Sequence, residues 1–348
     1  MNSMYKNLIV KEVKEEIKDV KTIVFDENRS DKIIYKAGQY LTLVQQGLHE
    51  EIRRSYSITS SPALNEPLSV GVKRINNGAF SRQLVDHTKA GDTILTIGAA
   101  GFFVLHDNLE AYRQIFFLAA GSGITPIYSL IKTVLHQHPH IAVVVIYSNR
   151  SEHDTIFKKE LSELLHSFAH RFVIEFIYSN SKDLRKAHLY RELLQEYLNA
   201  YSIASFDEML FYVCGPEAYM RMCVYGLEEV YVPQRNIKKE NFSTVKASVV
   251  AEPPDKLTHK VCIDDAGRQN WIEVLYPETI LQAAKKNGLQ IPYSCEAGRC
   301  GSCVAACIKG KVWMSYNEVL TDMELEKGYV LTCVGYPVGG DVVLRVGA

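Results

Sequence analysis

The sequence has almost no net charge. Its 348 residues contain 39 lysines and arginines against 40 aspartates and glutamates, which leaves a formal net charge of −1. A chain that binds nucleic acid or an anionic membrane surface usually has a basic excess, and a strongly acidic tail would also shift this balance. We therefore expect neither nucleic acid nor a membrane among its partners.

Long apolar segments are also missing. Residues 1–7 are polar and lack the apolar core of a signal peptide. The longest apolar stretch, residues 115–131, is interrupted by Gly121, Gly123 and Pro126, so it is not a membrane span. Eight cysteines without a secretory signal are typical of a reducing compartment. We expect a soluble cytoplasmic protein of two or three domains, because the chain is too long for one ordinary core.

Four of the cysteines form a pattern near the C-terminus. Cys295, Cys300 and Cys303 are spaced C-x4-C-x2-C, and Cys333 follows later. This is the plant-type spacing of a [2Fe–2S] cluster, in which one loop supplies three thiolates and another element supplies the fourth. A zinc site is the alternative, but zinc sites usually have two short C-x2-C pairs and this sequence has one. The pattern predicts an iron–sulfur cluster.

The spacing of apolar residues along the sequence divides the chain into three parts. Up to about residue 105, short alternating segments separated by turn signals predict a small antiparallel barrel. Strand and helix patterns then alternate to residue 242, with a helix at 155–167 and a strand at Phe172–Tyr178 among them, which predicts a parallel sheet covered on both faces. The mixed pattern after the linker suits a β-grasp. The predicted units are a barrel at 1–108, an α/β domain at 109–242, a linker at 243–256 and a small domain at 257–348.

One strand of the barrel carries the groups that a flavin needs. The pyrophosphate requires a cation, the ring an aromatic neighbour and N5 a nearby hydroxyl, and Arg54, Tyr56 and Ser57 can supply all three. A satisfied arginine on an exposed strand is the simpler interpretation of this motif.

A short helix predicted at Ala79–His87, further along the barrel segment, adds a phosphate site. Its free N–H groups can bind the flavin phosphates, although a glycine before a helix is common. The candidate residues in this region are Val72, Lys73, Gly78, Ala79, Phe80 and Ser81.

Three strand ends of the predicted parallel sheet carry turn residues, where ligands bind in open α/β sheets. The first, Gly121–Pro126, has glycines that admit a phosphate but lacks the G-x-G-x-x-G fingerprint of a standard Rossmann site. At the second, Cys214 is either beside a nicotinamide or a buried filler. At the third, Arg150 is either a partner for a 2′-phosphate or a solvated loop arginine. The candidates are Gly121, Gly123, Thr125, Pro126, Asn149, Arg150, Cys214, Gly215 and Pro216.

The order of these motifs resembles the ferredoxin–NADP reductase superfamily, and within it the reductases with a C-terminal plant-type ferredoxin domain. The chain is most similar to the group that serves phenylacetyl-CoA epoxygenases and related oxygenases. The resemblance implies FAD on the barrel, with Arg54 on the pyrophosphate, Tyr56 against the ring and Ser57 near N5. It also implies a pyridine nucleotide on the parallel sheet, with Tyr56, Ser57 and Cys214 as catalytic residues.

The three cofactors predict an electron-transfer enzyme. A nicotinamide gives up two electrons together and a [2Fe–2S] cluster accepts one, so the flavin belongs between them. We expect NADPH to be preferred, with NADH possible, and an oxygenase component, most simply a di-iron phenylacetyl-CoA epoxygenase, as the acceptor. A Rieske-type oxygenase and a ketosteroid hydroxylase remain alternative acceptors. A redox sensor without turnover is the non-catalytic alternative.

Overall fold

The structure is a computed structural model that describes residues 4–47, 51–245 and 251–347. Three sheets follow one another along the chain, so the expected multidomain architecture is confirmed: an antiparallel β-barrel, an α/β domain with a parallel sheet, and a β-grasp domain. The first three residues of the predicted barrel segment and residues 246–250 of the predicted linker lie outside the described residues. No helix in the described ranges is long and apolar enough to cross a membrane.

The barrel is a six-stranded antiparallel sheet with the strand order β4-β3-β6-β1-β2-β5. A bridge between Ile58 and Val70 brings the two outer strands together and closes it. Inward-facing apolar residues such as Leu8, Leu41 and Leu43 fill its core, as the period-2 pattern predicts. Its elements are β1 Lys6–Ile17, β2 Val20–Phe25, β3 Tyr40–Gln46, β4 Glu51–Ser57, β5 Ser69–Lys73, α1 Ala79–His87 and β6 Thr93–Ala100.

The second sheet is parallel throughout and has the order β11-β10-β7-β8-β9. The carboxyl ends of β7 and β10 are neighbours, which brings the loops after Ala120 and Cys214 together. The elements are β7 Gln114–Ala120, α2 Ile124–Gln137, β8 Ala142–Asn149, α3 Lys158–Ser167, β9 Phe172–Tyr178, α4 Arg191–Tyr201, β10 Met209–Cys214, α5 Glu217–Glu229 and β11 Ile237–Glu240.

Helix α3 of this domain begins three residues later than predicted. The pattern indicates a helix from Thr155, but α3 begins at Lys158. The reason is local: Phe157 has φ 57°, a left-handed conformation that an α-helix cannot contain. The side chain of Phe157 stacks on Tyr128 with ring centroids 4.4 Å apart, so tertiary packing accounts for the unusual backbone.

The third domain has a mixed five-stranded sheet in the order β13-β12-β18-β14-β16, with β12 and β18 parallel. Thr279 caps α6 and forms a capping box with Gln282, which fixes where the helix begins. Its elements are β12 His259–Asp265, β13 Arg268–Val274, α6 Ile280–Lys286, β14 Val304–Lys309, β15 Val312–Met314, α7 Asp322–Glu326, β16 Tyr329–Leu331, β17 Gly335–Pro337 and β18 Val342–Val346.

Two adjacent phenylalanines after the barrel contact the other two domains. The ring of Phe103 meets Tyr212 of β10 edge-on, with centroids 5.3 Å apart. The ring of Phe102 packs against the third domain, 6.4 Å from Tyr329 and so close to Gly301 that a Cβ there would lie 2.9 Å from it. The end of the barrel therefore touches both neighbouring domains.

Candidate functional site

A cleft of about 1220 Å³ opens between the three domains. Its wall includes strand β4 of the barrel, the turn before α2, the end of β11 and the cysteine loop of the third domain. Ligand pockets usually measure about 300–1,000 Å³, so this cleft has room for a large ligand such as a flavin nucleotide.

Most of the predicted flavin residues face this cleft. Arg54, Tyr56, Ser57 and Lys73 line it, and so do the four residues 78–81 that open α1. Val72 differs, because its side chain is completely buried in the barrel core and does not reach the cleft. Strand β4 is the outer strand of its sheet, so residues on both of its faces can reach a ligand at the edge.

The start of α1 is held in shape by Ser81. Its hydroxyl accepts a hydrogen bond from Ile75 N at 3.1 Å and donates one to Gly78 O at 3.1 Å. A Cβ at Gly78 would lie 2.6 Å from that hydroxyl, so the turn requires glycine. The first N–H groups of a helix have no partner within it, and here they are at the cleft wall. This arrangement fits the phosphates of the predicted flavin.

The two glycine-containing turns of the parallel sheet pack directly on each other. A Cβ at Gly123 would lie 2.1 Å from Cys214 O, and Gly121 has φ 54°. Cys214 is fully buried, and this burial raises the pKa of its thiol well above its ordinary value, so it stays protonated. Thr125 lines the cleft, whereas the cleft wall does not include Gly121, Gly123, Pro126, Cys214, Gly215 or Pro216.

A group of unpaired polar atoms lies at the end of β8 and the start of α5. Ser148 Oγ, both side-chain polar atoms of Asn149 and the Tyr219 hydroxyl are buried there without a well-formed hydrogen bond in the described residues, although Tyr219 lies within reach of Ser148 and Asn149 within reach of Tyr147. Buried polar groups are nearly always paired, so these atoms are suited to a polar ligand such as a nucleotide. Arg150 beside them is exposed, and its guanidinium has no ion pair or hydrogen bond within the described ranges.

The four predicted cluster ligands come together. Cys295 is within hydrogen-bonding reach of Cys300 and Cys333, and Cys303 of Cys333. The contact with Cys300 and then that with Cys333 lower the pKa of Cys295 to about 2, whereas the contact with Cys295 raises the pKa of Cys300 well above its ordinary value. Thiol groups this close to one another compete for protons, so some of them lose theirs readily. Thiolates are the form of cysteine that binds metal, and the arrangement therefore suits four ligands of one cluster.

The surrounding loop is also suited to a cluster. Ala297 N donates to Cys295 Sγ at 3.4 Å, and Gly298 and Gly301 have φ values of 71° and 78° that favour glycine. Among the described residues no three His, Cys, Asp or Glu side chains surround one common metal position. A two-iron cluster does not require such a position, because its four thiolates are divided between two irons.

Glu240 is a site residue that the sequence did not reveal. Its side chain lines the cleft at the end of β11, and its Oε2 atom is sealed from solvent without a hydrogen-bond partner in the part of the chain that the structure describes. Burial raises the pKa of this carboxyl to about 8, and its charge acts on Cys214 and Tyr40. In the sequence Glu240 only precedes the predicted linker at 243–256, so nothing marked the carboxyl as buried.

Several contacts hold the cysteine loop against the other two domains. Tyr40 donates to Cys300 O at 2.5 Å, Ser55 donates to Ser294 Oγ at 2.8 Å, and Arg53 lies 4.0 Å from the centre of the Tyr293 ring. Arg299 adds an ion pair to the second domain, at 3.7 Å from Glu217 of α5, and a second ion pair within its own domain, at 3.3 Å from Glu318. Cys295 and Cys300 consequently face the same cleft as Tyr56 and Ser57.

Three family models match consecutive parts of the chain. An oxidoreductase FAD-binding domain matches residues 7–104, an oxidoreductase NAD-binding domain matches residues 117–224, and a 2Fe-2S iron-sulfur cluster binding domain matches residues 263–338. The matches follow the order of the three sheets.

Curated relatives match over nearly the full length. A component of the 1,2-phenylacetyl-CoA epoxidase of Escherichia coli K12 is 33% identical over 98% of this chain and 97% of its own. The ferredoxin reductase component of 3-ketosteroid-9-alpha-monooxygenase from Rhodococcus rhodochrous is 32% identical, with 95% and 94% covered. The glycine betaine monooxygenase reductase subunit of Pseudomonas aeruginosa is 30% identical, with 94% and 91% covered.

Solved structures share the fold. Phthalate dioxygenase reductase superposes with a TM-score of 0.61 at 22% identity and covers 98% of both chains. An intact type IV self-sufficient cytochrome P450 monooxygenase gives a TM-score of 0.71 at 20% identity, over 98% of this chain and 41% of the other. At these identities the likeness concerns the fold alone.

Proposed function

Because the chain belongs to the family of oxygenase reductases that combine an FAD-binding, an NAD-binding and a C-terminal [2Fe–2S] domain, we propose that it passes electrons from NADPH to an oxygenase component. One observation carries the proposal. The candidate flavin residues Tyr56 and Ser57 and the candidate cluster ligands Cys295 and Cys300 line the same cleft. A flavin bound there would lie between the nucleotide domain and the cluster.

The side chains of the cleft have distinct roles in this proposal. When bound, the flavin takes two electrons from the nicotinamide and passes them on singly to the cluster. Arg54 binds the pyrophosphate, Tyr56 covers the ring, and Ser57 places a hydroxyl at the N5 edge. The protonated carboxyl of Glu240 lies at the end of β11 beside Cys214, where it can hold a proton without adding charge.

The nucleotide is proposed to bind at the carboxyl ends of β7, β8 and β10. The glycines of the β7 turn let the phosphates approach the main chain, and the buried polar side chains of Ser148 and Asn149, which have no well-formed hydrogen bond in the described residues, can bind polar groups of the nucleotide. The exposed guanidinium of Arg150 at the same edge is available to bind the 2′-phosphate of NADPH, since arginine can contact two oxygens at once.

The oxygenase is proposed to act in phenylacetate breakdown, as a di-iron phenylacetyl-CoA epoxygenase. Support comes from the phenylacetyl-CoA epoxidase relative, which is 33% identical. The ketosteroid monooxygenase reductase at 32% identity supports a second candidate acceptor. The two are separated by offering the reduced protein each oxygenase with its own substrate and measuring product formed per NADPH consumed.

The domain limits and the compartment are part of the proposal. We place the flavin domain at 1–108, the nucleotide domain at 109–242, the linker at 243–256 and the ferredoxin domain at 257–348. None of the eight cysteines forms a disulfide bond in the described residues, which supports a reducing compartment such as the cytoplasm. Such a compartment keeps thiolates available for metal.

The central test compares wild type with Cys295→Ser. Wild type with NADPH is expected to reduce an artificial one-electron acceptor over many turnovers, because it is a catalyst and not a sensor. The variant is expected to lose reduction of acceptors that take electrons from the cluster, while NADPH still bleaches the flavin. If the variant no longer bleaches its flavin, the proposed order of transfer is wrong, and if wild type stops after one turnover, the enzyme proposal is wrong.

A further inference from the structure

Tyr40 connects the predicted flavin strand with the cluster loop. On β3 it is paired directly opposite Ser57 of β4. Its hydroxyl donates to Cys300 O at 2.5 Å and lies 2.9 Å from Ser302 Oγ. The side chain is only 4% exposed. One buried phenol therefore touches the main chain of a candidate cluster ligand and borders the predicted flavin position.

Ser302 stands between this phenol and the sulfur of the same ligand. Its hydroxyl is 3.5 Å from Cys300 Sγ, and the residue is 5% exposed. A hydroxyl has one proton to donate. When Cys300 is a ligand its sulfur is a thiolate and has no proton, so Ser302 is the donor of that pair. The oxygen of Tyr40 and the sulfur of Cys300 then compete for the Ser302 proton.

We propose that Tyr40 is a positioning residue that fixes the cluster loop on the flavin strand and, by sharing the Ser302 proton, weakens the hydrogen bond from Ser302 to Cys300 Sγ. The inference deepens the proposed function and rests on it, because it takes the four cysteines to hold the cluster. Hydrogen bonds to ligand sulfurs stabilise the reduced cluster and raise its potential. The contact with Tyr40 consequently lowers the potential of the docked cluster.

Other contacts keep the domains together when this one is removed. Ser55 still binds Ser294, and Arg53 still lies over Tyr293. Tyr40→Phe is therefore expected to keep the docked arrangement while releasing the Ser302 proton to the sulfur. This separates a loss of docking from a change at the cluster.

The test uses the full chain with its cofactors and three variants: Tyr40→Phe, Ser302→Ala and the double variant. Redox titration monitored by electron paramagnetic resonance gives the cluster midpoint and the spectrum of the reduced cluster. Tyr40→Phe is expected to shift the midpoint upward and Ser302→Ala downward. The double variant is expected to match Ser302→Ala, since Tyr40 acts on the sulfur only through that hydroxyl. Stopped-flow transfer from flavin to cluster should not slow in Tyr40→Phe, because the docked arrangement is kept and a higher cluster potential increases the driving force.

Tyr212→Phe is the matched control. It removes a buried phenol that donates to Val104 O at 3.0 Å, away from the cysteine loop, and should leave the midpoint and the spectrum unchanged. The inference is overturned if Tyr40→Phe leaves the midpoint unchanged or lowers it, or if the double variant differs from Ser302→Ala. A wild-type protein without the signal of a reduced [2Fe–2S] cluster would overturn the proposed function, a result readily told apart from a normal signal that the substitutions do not move.

Discussion

A carboxyl group with little access to water and to hydrogen-bond donors is costly to ionise, and Glu240, whose Oε2 atom is sealed from solvent, is such a group. Its pKa is raised to about 8 from 4.5 by burial. Below pH 4.5 the folded and unfolded chains both hold the proton. Between pH 4.5 and 8 only the folded chain keeps it, so the free energy of unfolding falls as the pH rises, by about 1.4 kcal/mol per pH unit. Above pH 8 the folded chain also loses the proton, so Glu240 no longer makes the free energy of unfolding depend on pH.

Replacing Glu240 by Gln should remove this slope. We expect urea-induced release of the flavin, followed by fluorescence between pH 5 and 8, to report the free energy of unfolding. That free energy should increase in the variant relative to wild type as the pH rises. Glu326→Gln is the control, because Glu326 is an exposed carboxyl at the wall of the same cleft. A difference between Glu240→Gln and wild type that stays constant with pH would show that Glu240 is ionised in the folded protein.

Arg150 is the residue proposed to select the coenzyme. Its guanidinium is exposed, so a bond to the 2′-phosphate should contribute about 1–3 kcal/mol, or roughly tenfold to a hundredfold in preference. Arg150→Ala is expected to raise the KM for NADPH by that factor and leave the KM for NADH nearly unchanged. Arg268→Ala, an exposed arginine of the third domain, should change neither. Equal losses for both coenzymes would make Arg150 structural, and a wild type that prefers NADH would refute the assignment.

At the scale of the element, the cysteine loop depends on a glycine that a larger residue cannot replace. Gly301 has φ 78°, and a Cβ there would lie 2.9 Å from the Phe102 ring. Gly301→Ala is expected to lower the iron content per chain and slow transfer from flavin to cluster. Gly267→Ala is the matched control, since Gly267 has φ 88° with open space around its Cβ position, and it should show only the backbone cost of about 1–2 kcal/mol. Equal effects of both substitutions would mean that contact with Phe102 is unimportant.

Elements with strong local patterns were predicted well. The helix at Ala79–His87 and the strand at Phe172–Tyr178 have the expected bounds, because each has a clear apolar period. The short helix α7 at Asp322–Glu326 was not predicted, since five mostly charged residues show no period. Tyr40, Glu240 and Arg299 were missed for another reason. The residues that surround each of them are distant in sequence, as Cys300 is from Tyr40, and no local pattern reports such a contact.

For the molecule as a whole, docking of the third domain does not rest on net charge. Residues 257–348 contain 9 lysines and arginines and 10 aspartates and glutamates. The contacts include a hydroxyl pair at Ser55 and Ser294 and a buried arginine, Arg299, only 8% exposed. Buried pairs are screened little by salt, and a tether supplies an effective concentration on the order of millimolar.

Flavin-to-cluster transfer should therefore vary little with ionic strength. Between about 0.01 and 1 M salt the Debye length falls from about 30 to 3 Å, yet the stopped-flow rate is expected to change less than about threefold. The second-order reduction of an added oxygenase serves as the comparison in the same salt series. A fall of several tenfold steps in the internal rate would contradict docking by short-range contacts.

The paired rings of Phe102 and Phe103 have a consequence for how often the cluster is free to meet a partner. Phe103 anchors the barrel to β10, while Phe102 is covered by the third domain. If that domain swings away, Phe102 is the one of the two rings that is uncovered, and exposing such a half-buried ring costs about 1 kcal/mol. That cost alone holds the open conformer to less than about a fifth of the molecules. An oxygenase that needs the open conformer would then be supplied by a minority population, unless its own surface offers an apolar cover for Phe102.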